Sequence, residues 1–261
     1  MKLRFTWLPI IITFTFSGCH KNPTSCTHED PDINSKDILF QYSTLGSLMA
    51  GVYDGERTYA EIKEYGDFGL GTFNALDGEM IEIEHQVFQI KADGIAYPVV
   101  DTMRTPFAVV TWFETDQQVT ISESMNYEAF KIHLDTILPT LNIPYAIKMT
   151  GTFNYILTRS VPRQERPYPP LLDVMENQPT FEFEETEGVM LGFRLPVYMD
   201  VANAPGYHFH FITADRDAGG HVLEFQLLNI TAEIDYTDAW HTILPGDDDF
   251  YQVDISSDAY Q

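Results

Sequence analysis

The chain has 261 residues, 44% of them hydrophobic, and its 15 Lys and Arg stand against 39 Asp and Glu for a formal charge of −24. That hydrophobic share excludes both a disordered tail and a polytopic membrane protein. Binding to a nucleic acid needs clustered cations to neutralise phosphates, so a chain this acidic excludes DNA and RNA as partners. Its length suffices to bury a core without staples. Both cysteines, Cys19 and Cys26, fall near the N-terminus, leaving the expected folded body free of thiols, disulfides and cysteine metal sites.

At the N-terminus, Lys2 and Arg4 make a basic region, Phe5 to Phe16 is apolar, and Phe16-Ser17-Gly18-Cys19 matches the bacterial lipoprotein pattern of small residues before a lipidated cysteine. About a dozen apolar residues interrupted by Pro9 are too few to cross a bilayer, which takes about 20. The expectation is a signal peptide over residues 1–18 and a lipid on Cys19, placing the protein in the bacterial cell envelope, in the periplasm or at the surface. A poorly ordered cytosolic N-terminus, or an ordinary secretory signal cut elsewhere, is the plainer alternative. The acidic body is repelled by anionic lipid, so attachment would come from acyl chains alone. Residues 19–36 are polar and proline-containing and read as a flexible tether. His20, Cys26 and His28 lie within it, with no scaffold to hold them around a metal.

The folded domain is expected over 37–261, with subdomains of about 37–145 and 146–261. Thr44 precedes a short helix over Leu45 to Val52. Thr58-Tyr59-Ala60-Glu61 fits a capping box, with Gly66 as the left-handed stop of that second helix. Two short helices thus precede the first predicted sheet. From Met80 the period becomes 2, with Ile81 and Ile83 opposite Glu82 and Glu84. Val87 to Ala92 and Ile95 to Val100 flank an Asp93-Gly94 turn. Phe107 to Phe113 reads as a buried strand and Gln118 to Ser122 as another. An amphipathic helix follows, with Tyr127, Phe130, Leu134, Ile137 and Leu138 on one face and Pro139 as its stop.

Further on, Phe153, Tyr155, Leu157 and Arg159 alternate, so in a regular strand the Arg159 guanidinium shares a face with three apolar side chains. A turn at 185–188 between Phe181-Glu182-Phe183 and Val189 to Leu195 suggests a hairpin. Tyr207 to Ala214 and His221 to Leu228 are two more strands. Many strands and few helices indicate an α+β fold of two packed mixed or antiparallel sheets.

The chemistry concentrates in Gly206-Tyr207-His208-Phe209-His210-Phe211 and Gly219-Gly220-His221. On a strand His208 and His210 share a face, while Tyr207, Phe209 and Phe211 take the other. A third imidazole completes an open three-His zinc site of the kind that leaves room for substrate. A tight loop over 215–220 would leave His221 about 13 Å from His210, at roughly 3.3 Å per residue. The metal reading therefore requires a wide or bulged connection over 211–220 that sets His221 opposite His210. Without it, His-x-His is an incidental pair. A cupin-type site is a rival, but it wants a glutamate four or five residues after the pair, where Ala214 and Asp215 stand.

Leu70-Gly71-Thr72-Phe73-Asn74, Asp77-Gly78-Glu79-Met80, and the segments from Gly206 to His210 and Gly219 to Leu223 together resemble the bacterial α-acetolactate decarboxylase family. The resemblance runs from about Leu39 to near Ile255. It implies a zinc enzyme, usually dimeric, that converts 2-acetolactate to acetoin and carbon dioxide. His208, His210 and His221 would be the zinc ligands, Glu79 and Arg159 active-site polar residues, and Thr72 a residue lining the site. Read alone, Glu79 is an exposed residue after a turn, Arg159 a strand-end cation and Thr72 a support for loop backbone. His85, His133 and His241 have no partners at ligand spacing and read as structural or surface residues.

The chemistry suits those residue types. Loss of carbon dioxide from a 2-hydroxy-3-keto acid leaves an enediolate, so the ketone is its own electron sink and neither pyridoxal nor thiamine is needed. Zinc chelated by the two oxygens would stabilise the developing charge, Arg159 would hold the carboxylate, and Glu79 would deliver the proton. Two departures stand out. The family's C-terminal tail glutamate would fall a few residues beyond Gln261, so either the tail is shortened or a carboxylate such as Asp254 or Asp258 replaces it, and an envelope location is unusual for pyruvate metabolism. Two other readings therefore stay open: a noncatalytic envelope binding protein that keeps the fold, and a metal enzyme acting on a related 2-hydroxy-3-keto acid.

Overall fold

The computed structural model describes residues 37–227 and 229–256, so Cys19, the N-terminal leader and tether, and Asp258 lie outside the described residues. Two seven-stranded sheets dominate. The first runs in the order Ala239–Ile243, Ile38–Tyr42, Ala108–Thr111, Phe68–Thr72, Glu79–Ile83, Gln86–Ile90, Ala96–Pro98. The second runs Met125–Asn126, Gly219–Leu227, Gly206–Thr213, Thr180–Leu195, Tyr145–Arg159, Ile230–Tyr236, Gln117–Ile121. Pairing within both is antiparallel, except that Ile38–Tyr42 lies parallel to Ala239–Ile243. Strand Gly219–Leu227 also pairs with Tyr145–Arg159, so four strands of the second sheet close into a ring.

Among the described residues there are five short α-helices: α1 Leu45–Met49, α2 Tyr59–Ile62, α3 Tyr127–Ile137, α4 Leu171–Met175 and α5 Asp248–Gln252. Among the described residues no helix is long and apolar enough to cross a membrane. Alternation along the strands sorts side chains into three cores. Leu70, Ile81, Val109, Leu191, Phe193 and their neighbours fill the space between the sheets. Phe209, Phe211, Val222 and Phe225 point the other way, into the ring, where α3 covers them with Phe130 and Leu134. Phe40, Met80 and Val110 form a third layer with Tyr59 and Ile62 of α2. An α+β fold of packed sheets is thus the observed architecture.

The local readings hold where side-chain chemistry sets the ending. The Thr58 hydroxyl accepts from Glu61 N, while the Glu61 carboxylate accepts from Thr58 N at 2.8 Å, completing the capping box. The apolar face and end of the predicted amphipathic helix coincide with α3, which Asn126 caps by accepting from Ala129 N. Other expectations need correction. Helix α1 stops at Met49 rather than Val52, because Val52 N donates to Ser47 O and Gly51 N to Leu48 O, closing it in a Schellman turn. Strand Ile38–Tyr42 precedes both helices and belongs to the first sheet.

Gly66 does not end α2 in a left-handed conformation; a Cβ there would lie 2.6 Å from the Thr111 carbonyl oxygen, so backbone approach demands the glycine. The supposed turn at 185–188 is part of one strand, Thr180–Leu195, because the long partner Tyr145–Arg159 supplies backbone pairing on both sides of it. Faces also depart from simple alternation. Phe153 and Ile156 both enter the ring, so their strand changes phase opposite Glu185 (φ 46°), and Arg159 leaves from the face opposite Phe153. Glu82 does lie opposite Ile81 and Ile83, but that face is covered: the side chain is fully buried and neither oxygen has a hydrogen-bond partner.

Candidate metal centre and active site

Strands Gly206–Thr213 and Gly219–Leu227 are antiparallel neighbours, with His210 directly opposite His221. The expected pairing is present, but the connection is neither wide nor bulged: Ile212 still pairs with Gly219 and Thr213 N donates to Ala218 O at 3.0 Å, so the ladder runs in register to a short turn over 214–217. Within it the Thr213 hydroxyl donates to the Asp217 carboxylate at 2.6 Å and accepts from Asp217 N and Ala218 N, each at 3.2 Å. Gly220 (φ 145°) passes so close to the next strand that a Cβ would lie 2.5 Å from Arg159 O. That approach puts Arg159 opposite His221.

All three imidazoles face the first sheet. His208 Nε2 lies 3.1 Å from His221 Nδ1, which lies 3.3 Å from His210 Nε2. Ligands about 2.0–2.1 Å from one tetrahedral ion are separated by about 3.3–3.4 Å, which two of the three separations approach; all three nitrogens lie within 4.8 Å of one another, a grouping able to hold a metal ion. His210 Nδ1 donates to Met80 O at 2.8 Å; because a carbonyl only accepts, this leaves Nε2 with its lone pair toward the cluster. Burial and the neighbouring Arg159 charge push the His208 pKa down to about 4. Burial likewise holds His210 and His221 well below the usual range, in the neutral form that ligates.

The first sheet supplies the opposite wall. Thr72 and Glu79 are paired across adjacent strands and both face the histidines. Glu79 is buried, with Oε2 3.7 Å from His210 Nε2. Its pKa is raised to about 7 by burial, against a smaller lowering from Arg159. The Thr72 hydroxyl donates to Gly78 O at 2.7 Å and so steadies the turn before Glu79 while its side chain lines the cavity. Arg159 projects into the same space, its Nη1 donating to Gln178 Oε1.

The resulting cavity, about 310 Å³, lies between the sheets and brings together all six residues singled out in the sequence: Thr72, Glu79, Arg159, His208, His210 and His221. Asp254 does not line it; the exposed carboxylate accepts from Ser256 N. Sequence patterns did not single out the apolar wall from α1 and α4, which includes Leu48, Met49, Leu171 and Met175, nor Gln178. No motif marks them, because they reach the site through tertiary contacts of short helices and an irregular connection. His85 instead meets Trp112 edge-on, and His241 packs against Phe40 and Tyr65.

Fold and site together define an α+β protein with a tri-histidine pocket between two sheets. A model of the alpha-acetolactate decarboxylase family matches residues 39–257. The alpha-acetolactate decarboxylase of Methanosarcina mazei is 45% identical over 241 residues, covering 92% of this chain and 84% of that one. Its counterpart from Methylococcus capsulatus is 46% identical, covering 88% of this chain and 86% of that one. The crystal structure of alpha-acetolactate decarboxylase from Bacillus subtilis strain 168 superposes with a TM-score of 0.83 at 38% identity, covering 85% and 96% of the two chains. The chain belongs to the alpha-acetolactate decarboxylase family.

Proposed function

We propose that this protein decarboxylates 2-acetolactate to acetoin and carbon dioxide, with zinc held by His208, His210 and His221. The observation that carries the reading is the convergence of three neutral ring nitrogens beside a buried acid and a guanidinium. Bound there, zinc supplies a redox-inert Lewis acid toward the substrate's ketone and hydroxyl oxygens. Arg159 holds the substrate carboxylate, using donors that its protein contacts leave free. As the carboxylate carbon departs as carbon dioxide, the bonding pair passes into the adjoining ketone to give an enediolate. Glu79, whose raised pKa keeps a protonated fraction near neutrality, returns one proton to the carbon that lost the carboxylate, completing acetoin. The apolar wall lowers the polarity around these charges and so strengthens their interactions.

The test is acetoin formation from acetolactate by protein as purified, after chelation, and after zinc is restored. Turnover that disappears with the metal and returns with zinc is expected. Zinc bound without acetoin would overturn the assignment in favour of a noncatalytic binding protein, while turnover only of another 2-hydroxy-3-keto acid would redirect it to that substrate.

A further inference from the structure

We propose that Gln178 is a positioning residue for Arg159, an uncharged acceptor that aims the guanidinium into the cavity without neutralising it. The inference rests on Arg159 being the group that receives the substrate carboxylate.

Arg159 closes strand Tyr145–Arg159 and pairs with Thr180, which opens the next strand. The intervening connection returns beside its own start, where Ser160 N donates to Pro179 O at 3.2 Å. That closure sets Gln178 next to the guanidinium. Its amide has one consistent orientation: Oε1 accepts from Arg159 Nη1, and Nε2 donates to Met175 O at 2.8 Å. Reversing the amide would turn donors on the guanidinium and an oxygen on a carbonyl. Met175 ends α4 and lines the cavity, so one side chain ties the direction of Arg159 to the apolar wall.

The choice of a neutral partner is informative in so acidic a chain. Arg57 pairs with Glu61, Arg166 with Asp54 and Asp249, and even the nearly buried Arg194 approaches Asp135 at 3.7 Å. Among the described residues, no carboxylate comes within ion-pair distance of Arg159. Glu79 influences it electrostatically without making an ion pair. Arg159 Nε is buried and has no hydrogen-bond partner, so the guanidinium is oriented yet unsatisfied. A part-buried cation in that condition binds an incoming carboxylate strongly, because the anion supplies both the missing acceptors and the missing charge. Glutamate at 178 would have nearly the same shape and would occupy the guanidinium as an internal substitute for substrate.

The test compares Gln178→Glu and Gln178→Leu with the unaltered protein, loaded with zinc, in acetoin assays and in calorimetric titration with 2-hydroxyisobutyrate and its uncharged amide. Gln178→Glu is expected to raise KM for acetolactate at least tenfold with kcat reduced less than threefold. It should weaken 2-hydroxyisobutyrate by a similar factor and leave the amide within twofold. Gln178→Leu should cost the anion several-fold, and that cost should vanish in an Arg159→Ala background, since the two residues act as a unit. Thermal melting of each variant identifies any that is misfolded. Unchanged KM and anion affinity in both folded variants would overturn the proposal, as would equal loss of anion and amide. If the unaltered protein makes no acetoin while Gln178→Glu weakens only the anion, the proposed function falls and the positioning role stands.

Discussion

Glu82 offers a measurement of what the first sheet tolerates. Its carboxyl lies on the side covered by α2, fully buried, with neither oxygen hydrogen-bonded. Burial pushes its pKa from 4.5 up to about 8; Lys63 opposes the rise, and Asp67 and Asp101 add to it. The folded state therefore binds a proton that the unfolded state releases, and this carboxyl's contribution to stability is greatest below about pH 4.5 and declines as pH rises toward 8. One pKa unit corresponds to about 1.4 kcal/mol, so full realisation of the shift amounts to about 5 kcal/mol across that window. Glu82→Gln preserves the shape and removes the ionisation. Urea unfolding of both proteins at pH 5, 6, 7 and 8 isolates the effect, since the other titrating groups largely cancel in the difference. Relative to the parent, the variant should gain stability by up to about 1.4 kcal/mol for each pH unit in this range. Parallel stability curves would refute the account, showing that the carboxyl ionises in the fold at little cost.

Glu79→Gln should lower kcat by roughly 100- to 10,000-fold while leaving zinc content unchanged, because it removes the proton donor and not a ligand; steady-state kinetics with metal analysis checks both. His210→Ala should reduce bound zinc well below one per chain after dialysis, and inductively coupled plasma analysis would expose the error if stoichiometry persisted. Cys19→Ala should move the protein from the membrane fraction to the soluble fraction of cells expressing the full chain. An unchanged distribution would argue against lipid anchoring at that residue.

Much of the site was legible because its residues obey short-range rules. His208 and His210 share a strand face by period 2, and the demand that His221 reach them required the pairing with His210 that the strands adopt. The capping box at Thr58 and the face of α3 were equally local. What could not be read depended on contacts between distant segments. Glu82 looked like the polar half of an alternating strand because nothing in its neighbourhood announces that α2 covers it. The stretch around Glu185 has the composition of a turn, yet its long partner strand keeps it extended. Gln178 carries no motif at all and acquires its place only when the connection after Arg159 returns to pair with it.

One physical condition, burial of its titratable groups between the sheets, underlies the separate properties of the site. It keeps three imidazoles neutral and so available as ligands, and it raises Glu79 until a proton remains on it near neutrality. The same burial makes a charged arginine costly, a cost that an anionic substrate would offset on the proposed reading by supplying its counter-charge. Such a pocket would let so acidic a chain admit an anion on the proposed reading: salt screens charges on the solvated surface, whereas Arg159 would act at short range in a medium that screens less. Affinity for the substrate carboxylate should accordingly respond weakly to ionic strength compared with the rate at which the anion first approaches the surface.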